Sequence, residues 1–157
     1  MNSRRKARTQ GLSLIELIVA FTIMFVLATL AVPLAKARVR REKERELRAA
    51  LVEIRHAIDK YKDAADQGLL GPTKLGSEGY PESLEILVEG VKKAGQANTK
   101  IRFLRRIPKD PMTNTTDWGK RSMQDDPKSS GGGGQNVFDV FTKSTDKAAD
   151  GTAYSEW

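Results

Sequence analysis

The sequence predicts an α+β fold, a long N-terminal helix packed on a small C-terminal domain with a short helix and a small antiparallel sheet. Three observations carry this. An uncharged apolar run extends from Leu17 to Ala35. An apolar stripe at helical spacing follows it, at Leu47, Leu51, Ile54, Ile58, Tyr61 and Ala65. Beyond Gly68, Gly and Pro breakers separate short segments, of which Val137 to Phe141 alternates as a half-buried strand does.

The apolar run holds 19 residues, close to the 20 or so that span a bilayer as a helix, and Leu12 to Ile15 extend it. Arg4, Arg5, Lys6 and Arg8 precede it and predict a cytoplasmic N-terminus, with everything after Ala35 outside the cytoplasm. Lys36, Arg38, Arg40 and Arg41 oppose that orientation, and the alternating Arg41 to Glu46 partly offsets them. Ala35-Lys36-Ala37 has the form of a signal-peptidase site, but the apolar run is longer than a secretory core of 7–15 residues and carries Glu16 near its start. A carboxylate in a membrane helix costs about 2.5–3.5 kcal/mol at the centre, less near the end. It either snorkels to the interface or meets a positive charge when subunits assemble.

The stripe from Leu47 onward predicts that the helix continues beyond the membrane to about Asp66, with charges on its other faces. A helix from Leu12 to Asp66 is about 80 Å long at 1.5 Å per residue. His56 lies among charged residues, with neither a second His nor any Cys to make it a metal ligand. Gln67-Gly68 and Gly71-Pro72 break this helix, and Gly76 to Tyr80 forms a loop. Pro81-Glu82-Ser83 opens a short helix through about Lys93, with Leu84, Leu87, Val88 and Val91 inward and Gly95 as its stop. Ile101 to Ile107 reads as extended, Trp118 to Met123 as a second strand, and residues 125–135, with four consecutive glycines, as a flexible loop.

Charge and composition exclude several functions. The chain of 157 residues has a net charge of +7, but four of its 27 basic residues sit in the first eleven positions. The other 23 face 20 acidic ones, so the basic pI reflects a short tag rather than a folded nucleic-acid-binding face. Without cysteine there are no disulfides and no thiolate metal sites. No Ser-His-Asp or Cys-His set is present, and Gly131 to Gly134 lacks the Lys and the strand-loop-helix setting of a phosphate loop. The reading is therefore not an enzyme.

Gly11-Leu12-Ser13-Leu14-Ile15-Glu16-Leu17, after a short basic leader, resembles the class III signal of type IV prepilins and pseudopilins, with Leu12 where Phe is common. The resemblance implies that a prepilin peptidase cuts between Gly11 and Leu12 and N-methylates Leu12. It implies that Glu16 pairs with the amine of a neighbouring subunit during assembly. Pro33 matches a proline common late in this stretch, where it permits a kink. Arg105-Arg106-Ile107-Pro108-Lys109-Asp110-Pro111 resembles a segment of the major pseudopilin of type II secretion, with Met112 where Trp often stands. Val137 to Phe141, Asp146, Asp150-Gly151 and Trp157 are similar to that family's last strand and loop.

This resemblance implies a leader at 1–11, a transmembrane assembly helix at 12–35, its amphipathic continuation at 36–66 and a periplasmic domain at 67–157. The implied function is a structural subunit in the bacterial inner membrane that polymerises with itself and minor pseudopilins into a periplasmic pseudopilus, driven by an inner-membrane platform and ATPase. The alternative is a type IV pilin or minor pilin of a surface appendage for adhesion, motility or DNA uptake. A sensing or scaffolding domain on a single-pass anchor is a third reading. Major pseudopilins also bind calcium in the C-terminal loop, where Asp146 falls at a ligand position. The second acidic ligand is unmatched, because Thr152 and Ala153 stand there, and Asp150 is the candidate replacement. The competing role for these aspartates is turn formation.

Overall fold

The protein is seen as a computed structural model that describes residues 13–72, 74, 76–127, 129 and 134–157. Gly11 and Leu12, and residues 128 and 130–133 of the expected loop, lie outside the described residues. The chain divides into two units, Met1–Arg41 and Glu42–Trp157.

Helix α1 covers Leu14–Asp66, 53 residues, and ends where the sequence predicts. Its stop has a physical cause. Gly68 adopts φ 68°, its N–H bonds the Ala65 carbonyl at 2.9 Å, and the Leu69 N–H reaches back to Ala64 at 2.9 Å. This paired closure satisfies orphan carbonyls and needs a residue tolerant of the left-handed region.

In the second unit the stripe becomes the core. Leu47, Leu51, Ile54, Ile58 and Tyr61 are buried, with Ala50, Ala57 and Ala64 filling the gaps between them, and Ala65 lies at the core margin. They pack with Leu84, Leu87, Leu104, Trp118, Val137, Val140 and Tyr154 in one cluster. The alanines matter because small side chains let the helix backbone approach its neighbours closely.

Helix α2 covers only Leu84–Glu89, shorter than the sequence predicts. It stops at Gly90 rather than Gly95. Gly90 has φ 82°, and a Cβ there would lie 2.8 Å from the Ile101 carbonyl oxygen. Apolar residues at 84, 87, 88 and 91 fit a continuing helix, yet Val91 begins strand β1, Val91–Lys93. β1 pairs antiparallel with β2, Gln96–Ile101, with Val91 opposite Ile101 and an irregularity between Lys92 and Lys93. The expected extended segment 101–107 thus contributes only Ile101 to a strand. The N–H groups of Phe103 and Leu104 instead share the Leu87 carbonyl at 3.0 Å each.

Strands β3, Gly119–Arg121, and β4, Asp139–Phe141, form a second antiparallel pair with Gly119 opposite Phe141. The described residues therefore hold two small sheets where the sequence suggests one. Gly119 is glycine because the Phe141 ring lies where its side chain would be, 2.4 Å from a Cβ. The Arg121 guanidinium covers the same ring, 4.1 Å from its centroid.

The Pro108-Lys109-Asp110-Pro111 segment is a tight knot under this sheet. Asp110 is fully buried and accepts hydrogen bonds from the Met112 N–H at 2.8 Å and the Thr113 and Thr142 hydroxyls. Asn114, at φ 58°, donates its N–H to the Asp110 carbonyl at 2.7 Å. Trp118 then stacks into the core with its indole N–H on the Pro108 carbonyl at 2.9 Å. A buried carboxylate with three donors is tolerated because its lone pairs are occupied.

Candidate functional site

In the first unit, Glu16 sits exposed in the first turn of α1. A carboxylate there is favoured by the unpaired N–H groups and positive end of the helix dipole. Behind it the apolar residues lie open: Phe21, Met24 and Phe25 are exposed by 63, 66 and 71 %. No described residue in the most apolar stretch is buried. A helix apolar on all sides is stable only in lipid or against other helices.

The two hydroxyls in this stretch are satisfied locally. Thr22 donates to the Ile18 carbonyl at 2.8 Å and Thr29 to the Val26 carbonyl at 2.7 Å. Such back-bonding removes the need for water or a partner. Pro33 lies inside α1. Having no N–H, it leaves the carbonyl four residues earlier without its usual helical donor.

In the second unit, the C-terminal loop closes on itself. Lys147 bridges Ala153, the Ala148 N–H bonds the Thr152 carbonyl at 2.7 Å, and the Tyr154 N–H bonds the Asp146 carbonyl at 3.2 Å. The Asp150 carboxylate accepts both the hydroxyl and the N–H of Thr152. These bonds, the hydroxyl's foremost, hold the Asp150 carboxyl below the usual carboxylate range. Asp146 and Asp150 are exposed, and no group of three or more His, Cys, Asp or Glu able to hold a metal occurs among the described residues. This donor set fits calcium poorly, since such sites need six to eight oxygens. The geometry is that of a turn.

Asp139, the third aspartate of the region, is committed elsewhere. Arg55 of α1 donates Nε to its Oδ1 at 2.7 Å, and Arg121 lies 3.4 Å from its Oδ2. The same Arg55 Nη2 reaches the backbone oxygens of Val140 at 3.3 Å and Trp157 at 2.7 Å. Arg121 Nη2 reaches the Ser155 carbonyl at 3.1 Å. Arg48 stacks on the Trp157 ring at 4.2 Å, and Tyr154 donates to Glu44 at 2.7 Å. Sequence reading missed this anchor. Its one signal is an acidic residue inside the apolar Val137 to Phe141, which requires a cation when half-buried.

Residues 6–32 match the family model of the prokaryotic N-terminal methylation motif. The chain carries a type IV pilin-like prepilin signal. The motif takes in Glu16 and the exposed apolar stretch, and it indicates a structural subunit rather than an enzyme. It implies processing by a prepilin peptidase and polymerisation into filaments, and it is consistent with membrane anchoring through the apolar part of α1. No curated protein and no solved structure matches the chain.

Proposed function

We propose that this pilin-like protein is a pseudopilin, a structural subunit of a periplasmic pseudopilus that drives type II protein secretion. The observation that carries the filament reading is the methylation motif in register with an apolar stretch of α1 in which no described residue is buried. The Arg105 to Met112 segment and the C-terminal pattern ending at Trp157 support the secretion branch. The absence of cysteine also favours it over pilins that close their C-terminal loop with a disulfide.

In this reading the peptidase cuts between Gly11 and Leu12 and methylates the Leu12 amine. Gly11 leaves the scissile backbone open to close approach. The new amine lies four residues from Glu16, and the carboxylate of one subunit neutralises the amine of the next. In a medium of low dielectric such a pair is attractive only if both charges are matched, so a misaligned subunit is rejected. The side chains from Leu14 to Leu27 exchange lipid for neighbouring helices. Pro33 permits local bending as the helix leaves the membrane. A platform protein and an ATPase supply the work of extraction.

The test is intact-mass and N-terminal peptide analysis of the protein from native membranes. A chain that begins at Leu12 with one additional methyl group is the expected result. A chain that begins at Met1 would replace the filament with a single-pass anchored domain, and one that begins at Arg38 would mean ordinary secretion. Deletion of the gene then separates the branches: lost secretion with surface filaments retained is expected, and the reverse would make the protein a pilin of a surface appendage.

A further inference from the structure

Four cations follow the apolar run: Lys36, Arg38, Arg40 and Arg41. They lie outside the methylation motif and outside the core of the second unit. They stand on the same continuous helix as the run, within the first unit, and all four are exposed. No acidic residue lies between Glu16 and Glu42. Glu42 itself is turned to Arg45, 3.8 Å away. Cations on the side opposite the N-terminus also oppose the orientation that Arg4, Arg5, Lys6 and Arg8 predict, so topology does not account for them.

Length and direction say what these cations meet. From Glu16 to Lys36 the helix rises about 30 Å, the thickness of a hydrocarbon core. The two charges therefore mark its two borders. From Lys36 to Arg41 the rise is about 8 Å, which matches the roughly 5–8 Å of headgroup layer on each side of a bilayer. At about 100° per residue the four side chains spread over about 200° of the helix circumference. A single docked helix or domain meets a stripe of roughly 100°. A headgroup layer meets the helix from every side. Lys and Arg suit that layer, because their methylene stems lie against acyl chains while the charged heads reach outward. The Arg guanidinium also donates two parallel hydrogen bonds to one phosphate.

We propose that Lys36, Arg38, Arg40 and Arg41 form a collar that binds the phosphates of anionic phospholipids in the leaflet opposite the N-terminus. Four cations with no acidic residue among them select lipids of net negative charge over zwitterionic ones. With headgroups held at this level, the collar fixes the depth at which α1 rests and opposes its movement along the axis. The inference rests on the membrane-anchored reading of α1, and it holds whether the filament is a pseudopilus or a pilus.

The experiment places the full chain in phosphatidylcholine vesicles at low salt, with spin-labelled phosphatidylglycerol or spin-labelled phosphatidylcholine as the probe. Electron paramagnetic resonance reads the fraction of probe held against the protein. Wild-type protein is expected to hold the anionic probe about fivefold more than the zwitterionic one, and to lose that preference in about 1 M salt. Lys36→Gln, Arg38→Gln and Arg41→Gln together are expected to reduce the preference by roughly threefold or more. Lys92→Gln, Lys100→Gln and Arg106→Gln remove as much charge from the second unit and are expected to leave it unchanged. Arg4, Arg5, Lys6 and Arg8 are the same in all these proteins, so a preference that survives in the Lys36/Arg38/Arg41 variant belongs elsewhere and overturns the proposal. So does a preference lost in the Lys92/Lys100/Arg106 variant, or absent from the wild type. Loss of self-association in the Lys36/Arg38/Arg41 variant, with lipid preference unchanged, would give the collar to a second copy of the chain instead. Alkaline carbonate extraction of the same vesicles separates the two readings. Retained wild-type protein without lipid preference overturns the collar alone, whereas extracted wild-type protein overturns the membrane anchor and the collar with it.

Discussion

Between Leu14 and Leu27 of α1 the large aliphatic and aromatic side chains lie open, Ile23 by 55 %. Between Leu47 and Ala64 of the same helix similar side chains are shut away, Ile54 completely. Local helical geometry is shared, and the difference lies in how the apolar residues are spaced. The first stretch is apolar on every face, so no single-chain partner covers it. The second confines its large apolar residues, Val52 apart, to one stripe and gives most of the other positions to Glu, Lys, Arg and Asp, so one small domain suffices. Composition around the helix decides whether a segment completes itself within the chain or needs lipid and other copies.

The sharpest way to break this comparison is at Glu16. We predict that Glu16→Ala leaves membrane insertion intact and abolishes filament assembly, as read by sedimentation and electron microscopy. Normal filaments from that variant would remove the charge pair from the mechanism. Ile54→Ala and Ile23→Ala test the two halves directly. Ile54→Ala is expected to destabilise the second unit by about 2–5 kcal/mol in denaturant melts followed by Trp118 fluorescence. Ile23→Ala is expected to leave that transition in place and to affect assembly alone. Arg55→Ala is expected to cost less, about 1–2 kcal/mol in the same melts, since the side chain is partly exposed. Arg55→Lys should recover little of it, because an ammonium cannot bond Asp139 and two backbone oxygens in one plane.

The smallest effect is at the surface. Lys143 pairs with Asp117 at 2.6 Å and holds the Asp117 carboxyl below its ordinary value. Any stability from that pair is present above the unfolded carboxylate range and is lost as the pH falls through the lowered value. Both side chains are half exposed or more, so Asp117→Asn should produce no measurable change in Tm at neutral pH.

Much of this was legible in the residues. The helix and its stop at Asp66 follow from spacing and from Gly68, and the core face from Leu47 to Tyr61 follows from period alone. The α+β class and the prepilin signal follow too. The course of residues 84–107 does not. Leu84, Leu87, Val88 and Val91 suit a helix as well as a helix that yields to a strand. The choice falls to Gly90, whose close approach to Ile101 exists only in the folded chain. The C-terminal anchor was hidden for the same reason, since Arg55 and Asp139 are 84 positions apart. The aspartates at 146 and 150 read equally as ligands or turn formers, and their settled geometry depends on Thr152.

The stripe on α1 from Leu47 to Ala64 has a mechanical consequence. A pull along the helix axis loads its buried side chains together, in shear, over a length of about 25 Å. Arg55 pins the middle of that seam to β4 and to the backbone at Trp157. Contacts loaded in parallel must fail at once, whereas contacts peeled in sequence fail one at a time. A force applied to this seam would therefore move the second unit as one folded body, as a tool follows a handle riveted along its length.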